Sequence, residues 1–178
     1  MISIKALMLL CVLSGPVIAQ GPVPTRPEEM KRLDFLVGQW RGEGWMDFGP
    51  GQRRTFRQTE SVQPKVDGAI LLIDGLGKGK LPGKEEEVTV HNAFAVVSYD
   101  NKSKVFRWRA YRAGGNWIDT EAKVGDNTLE WGFHDERGSD IRFTILLNEK
   151  GQWLEAGEFS GDRKTWRKFF EMTLDPVK

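Results

Sequence analysis

His91 has the neighbours that a chemically useful histidine needs. It lies in Val88-Thr89-Val90-His91-Asn92-Ala93-Phe94-Ala95. In an extended strand, side chains alternate, so Thr89, His91, Ala93 and Ala95 share one face. A polar ring among small residues suits a ligand pocket; the alternative is a hydrogen-bonded core or surface histidine. Arg107, Arg109 and Tyr111 alternate with Phe106, Trp108 and Ala110, giving one cationic and one aromatic face. With the cationic face turned inward, a guanidinium fork could hold a carboxylate or phosphate. With it turned outward, the same strand is a solvated surface over an aromatic core, since two buried guanidinium groups need partners. Glu60, Glu155 and Glu158 could be those partners. Arg142 and Thr144, opposite Ile141, Phe143 and Ile145, repeat the alternative. His134 precedes Asp135-Glu136-Arg137-Gly138 and reads as a solvated turn residue.

Catalytic templates are missing. Gly75 to Lys84 is rich in glycine and lysine but lacks the phosphate-loop spacing. Gly157-Glu158-Phe159-Ser160-Gly161 has the wrong spacing for a nucleophile elbow. One cysteine excludes a disulfide framework, and two histidines leave little for a metal centre, so no metal site is expected. Lys plus Arg number 26 against 25 Asp plus Glu. That balance argues against nucleic acid as a partner, even with Arg163, Lys164, Arg167 and Lys168 around Trp166.

The first residues read as an address. Lys5, an apolar run from Ala6 to Leu13, and Val17-Ile18-Ala19 form the pattern of a secretory signal peptide cut after Ala19. The run is too short for a membrane span and is broken by Gly15-Pro16. The expected organisation is a signal peptide over 1–19, a proline-bearing linker over 20–27 and one domain over 28–178. The protein is expected to be secreted or periplasmic.

A short helix is expected over Arg26 to Val37, with Met30, Leu33, Leu36 and Val37 on one face and Gly38 ending it. Ten strands follow, most of them separated by short polar turns. Gly75 to Glu87 reads as an exposed loop. Short turns force antiparallel neighbours, and closing the sheet removes its raw edges. The fold class is therefore all-β: a ten-stranded antiparallel up-and-down barrel, its end closed by the helix, wide enough for a small ligand.

The helix-to-strand join reads Phe35-Leu36-Val37-Gly38-Gln39-Trp40-Arg41-Gly42-Glu43-Gly44. Gly38-Gln39-Trp40 resembles the Gly-x-Trp start of the first strand in lipocalins and related calycins, and the longer run resembles nitrobindin-like barrels. Val97-Ser98-Tyr99-Asp100, Gly151-Gln152-Trp153-Leu154-Glu155-Ala156-Gly157-Glu158 and Trp166-Arg167-Lys168-Phe169-Phe170-Glu171-Met172 are similar to secreted bacterial members of domain of unknown function 1579. The lipocalin resemblance implies that Trp40 closes the barrel floor, with Arg167 of the last strand as candidate partner. Nitrobindin-like proteins bind haem through a late histidine; here none follows His134, so no haem and no other cofactor is expected.

These readings point to a small-molecule binding protein whose ligand is amphipathic or acidic. Its expected ligand-binding residues are His91, Arg109, Tyr111, Arg107, Glu60, Arg142 and Trp131, with Gly38, Trp40 and Arg167 structural. Trp45, Phe94 and Trp108 are further candidates for wall or core. An enzyme using the same pocket, or a barrel with a filled core, are the alternatives.

Overall fold

The computed structural model describes residues 26–178. The signal-peptide reading and most of the linker lie outside the described residues. A helix over Glu28–Leu36 leads into ten strands: β1 Gly38–Asp47, β2 Arg53–Lys65, β3 Ile70–Lys80, β4 Glu87–Asp100, β5 Val105–Arg112, β6 Trp117–Gly125, β7 Thr128–His134, β8 Asp140–Leu147, β9 Trp153–Ser160 and β10 Arg167–Pro176. Each strand pairs antiparallel with its neighbours, and β1 pairs with β10, so the sheet is a closed barrel.

The helix is 3-10 rather than α. Three residues per turn stack positions i, i+3 and i+6 in one line. Met30, Leu33 and Leu36 are that line, and all three are buried. Val37 was expected on the same face; it is instead extended and 39% exposed. The apolar line caps one end of the barrel, where Trp40 meets Trp153 edge-on at 5.8 Å. The Trp40 indole N–H donates to the Leu36 carbonyl at 2.8 Å, tying the helix end to β1.

Turns are held by side chains that accept neighbouring backbone N–H groups, as short polar residues do. Asp100 accepts from Lys102, Asp135 from Arg137, Asn148 from Lys150 and Asp162 from Lys164. At Asp162 the bonds from Thr165 and Lys164 hold the carboxyl down at about 2.

One element departs from its sequence reading. Residues 75–80, expected within a loop, continue β3 as far as Lys80. Gly75, Gly77 and Gly79 alternate with exposed Leu76 and Lys78 and are all buried. Their function is clearance: a Cβ on Gly75 would lie 2.7 Å from a Glu60 carboxylate oxygen, and one on Gly77 would lie 2.6 Å from Gln58 Oε1.

Candidate functional site

Strand register settles which face turns inward. Tyr99↔Phe106, Val97↔Trp108 and Ala95↔Ala110 are directly opposed, and Phe106 and Trp108 are buried. The aromatic face of β5 is therefore the inner one. Arg107, Arg109 and Tyr111 lie outside, which corrects the expectation that they line the interior. The physical reason is their partners. Asp119, on the outer face of β6, accepts from Arg107 Nη2 at 2.5 Å and from Arg109 Nε at 3.3 Å, and Ser98 takes Arg109 Nη1 at 3.2 Å. Solvated charge pairs avoid the desolvation cost of burying guanidinium groups. Tyr111 is 48% exposed.

Arg142 is also outside. It donates to Glu158 at 2.7 Å and stacks over Trp166 at 4.0 Å. Arg167 is corrected as the partner of Trp40: it opens β10 opposite Phe159, whereas Trp40 faces Pro176 at the other end of that strand. Trp45 lies on the outer face, under Arg53 at 3.6 Å, and Phe94 is 38% exposed. Trp40 itself is buried at the closed end, and Gly38 takes a φ of +143 at the helix-to-strand join. His134 stays at its turn, 3.4 Å from Asp140.

Three of the expected site residues do face the interior. His91 lies opposite Gly77, and burial and then the charge of Arg112 push its pKa down. Trp131 is stacked between Trp108, at 4.8 Å, and Phe143, at 4.4 Å. Glu60 is buried and accepts from Gln58 Nε2 at 2.6 Å. Its carboxyl is pushed up to about 7, chiefly by burial and further by the charge of Asp74.

Glu155 joins them. It lies opposite Ile145 and Met172, inside the barrel, and accepts from the Trp153 indole N–H at 3.2 Å. Burial, reinforced by the charge of Glu60, pushes its carboxyl up to about 8. The interior carries both kinds of group. Trp108, Trp131, Phe143 and Phe170 come from β5, β7, β8 and β10, with Phe56 of β2 stacked on Phe170 at 5.8 Å. Gln58 and Glu60 of β2 and His91 of β4 share the interior with the small residues Gly75, Gly77, Ala93 and Ala95, and Glu155 of β9 lies between the strands of Phe143 and Phe170. Arg112 takes the inner-face position of β5 opposite Ala93 and is exposed at the strand end.

Sixteen chains of solved structures match this fold. One is the crystal structure of Rv2717c from M. tuberculosis, with a TM-score of 0.60. The chain shares the barrel fold of Rv2717c. At 9% identity, over 86% of this chain and 99% of that one, the likeness carries the fold alone. No family model and no curated protein matches the sequence. The Rv2717c likeness therefore supports a ten-stranded barrel without choosing between the families that the sequence resembles.

Phe56, Trp131, Phe143 and Glu155 point inward and are only partly buried, whereas Leu71, Leu129 and Ile145 have 0–1% exposure. Two surface hollows lie elsewhere. One, of about 480 Å³, is at the open rim beside Arg53, Arg57, Lys78 and Lys80 and reaches the inward Phe56 and Gly79. The other, of about 330 Å³, lies between the helix and β4–β6. Neither touches Glu60 or Glu155. The described residues contain no cluster of three or more His, Cys, Asp or Glu able to hold a metal, and no helix long and apolar enough to cross a membrane.

Proposed function

We propose that this protein binds a small amphipathic molecule inside its barrel and works outside the cytoplasm. The observation that carries the binding reading is the mixed interior: five aromatic side chains share it with the inward-facing polar side chains of Gln58, Glu60, Glu155 and His91. Ligand pockets combine an apolar lining with a few convergent polar groups in this way. The accessible inward surface at Trp131 and Phe143 favours an open interior over a filled core. The acidic-ligand alternative loses support, because Arg107 and Arg109 pair with Asp119 on the outside. Export rests on the leader-like residues before Gln20.

Native mass spectrometry of protein purified from its own source tests the binding reading. A retained mass of a few hundred daltons is expected, and its loss on mild denaturation. Protein that is always at its bare chain mass, and that takes up no amphipathic dye, would overturn it. N-terminal sequencing tests export: a start at or near Gln20 is expected, and an intact Met1 in a cytoplasmic pool would refute it.

A further inference from the structure

We propose that the hollow at the open rim is a second binding site, which takes a phosphate group on the outer face of β2 and β3. It is separate from the interior site and does not depend on it.

Strand register supplies the first observation. Arg57 of β2 and Lys78 of β3 face each other directly. Wherever else the register opposes two charges, they differ in sign: Arg53 faces Asp47, Arg109 faces Asp119, Lys123 faces Glu130 and Arg142 faces Glu158. Among the described residues, no other directly opposed strand pair carries two like charges. Like charges in that position repel and weaken the sheet. An anion seated between them turns the repulsion into attraction.

The second observation is that this pair lines the larger hollow, of about 480 Å³. Its walls hold five cations and two carboxylates, Glu43 and Glu87. Three of the cations are answered within the protein. Arg53 donates to Asp47 at 2.9 Å, Arg57 pairs with Glu87, and Lys80 lies 3.5 Å from Glu85. Lys78 and Arg54 have no ion-pair partner among the described residues. Lys78 faces Thr89 on its other side, and Arg54 lies over the Phe48 ring at 4.6 Å. Glu43 lies beyond Arg57, two strands from Lys78. Glu87 is the acid that competes for the site: from β4 it reaches across β3 to take the Arg57 guanidinium.

The chemistry of the walls selects the anion. A guanidinium fork beside ammonium groups suits a phosphate, whose charge is spread over several oxygens. A phosphate ester carries about two charges at neutral pH, so it can answer Lys78 and still rival Glu87 for Arg57. Thr55 adds a hydroxyl, and Leu81 and Pro82 give the hollow one apolar side for the ester's organic group. The Arg57 side chain is 63% exposed, so salt screens the attraction.

Calorimetric titration of the intact protein with pyrophosphate at low salt tests the site, since so polar an ion is no ligand for the aromatic interior. Pyrophosphate should bind, and more weakly as salt rises. Lys78→Gln should weaken it at least about fivefold, and Glu87→Gln should tighten it about two- to threefold by releasing Arg57. Lys123→Gln, the same charge change on β6, should leave it unaltered. Lys78→Glu sets an acid opposite Arg57; it should abolish binding and raise the Tm of the ligand-free protein. Phosphate can arrive free or on a lipid. Titration with phenyl phosphate, and flotation with phosphatidylcholine vesicles with and without phosphatidic acid, separate these sources. The one that is used loses binding in Lys78→Gln. No pyrophosphate binding, or equal losses in Lys78→Gln and Lys123→Gln, overturns the proposal. Interior binding is decided separately by the native mass spectrum.

Discussion

Glu155 is the residue whose protonation the fold controls most directly. Its carboxyl is raised to about 8 and that of Glu60 to about 7, both from 4.5. A raised acid keeps its proton in the folded state after the unfolded chain has lost it. Its favourable contribution is whole below about 4.5 and declines as pH rises through the folded values. Stability should therefore fall between pH 4.5 and 8 on account of this pair. Glu155→Gln should flatten that decline and raise Tm by about 2–4 °C at pH 8, with little change at pH 4.5. Thermal melts at the two pH values check it; an equal shift at both would mean that Glu155 is not titrating in this window. Arg109 supplies the contrast. Its side chain is 39% exposed and its bond to Asp119 is long, so Arg109→Ala should cost less than about 1 kcal/mol in denaturant melts. It should also leave interior ligand binding unaltered. A large loss of either would show a role the outer surface does not suggest.

At the scale of elements, the helix and β1 act together. Trp40 packs on Trp153 and bonds to the last residue of the helix, so Trp40→Ala should cost about 3–5 kcal/mol, the range for deleting a core aromatic. Trp40→Phe should cost less, losing the bond to Leu36 and keeping much of the packing. Urea melts measure both, and a cost below about 1 kcal/mol for the alanine variant would contradict the burial. Much of this layer was legible in the sequence. Alternation and polar turns located all ten strands, and Gly38-Gln39-Trp40 located the join. Alternation alone could not say which face of β5 is inner, because that depends on Asp119, a residue of the next strand. Residues 75–80 were misread because glycine signals a turn more often than a strand; here its small size makes room for Glu60 and Gln58. Glu155 was legible only as a possible arginine partner. Its place in the same interior as Glu60 depends on closure, which brings β2 and β9 together through β1 and β10.

At the scale of the whole molecule, closure depends on one strand. β10 supplies Phe170, Met172 and Leu174 to the core and pairs with both β1 and β9. A chain ending at Thr165 should expose two unpaired edges and self-associate, since open edges invite pairing between molecules. Size-exclusion chromatography should show oligomers or aggregate; a well-behaved monomer would show that nine strands suffice. The pairing of β1 with β10 also sets a timetable. Trp40 lies opposite Pro176, and the Val177 N–H donates to the Gln39 carbonyl at 2.8 Å. Nearly the whole chain separates those partners, so this contact has one of the longest loops to close and among the largest entropic delays. A ribosome releases the first strand long before the last. Throughout that interval β1 can meet only β2, and its other edge must wait, unpaired, until the final residues emerge.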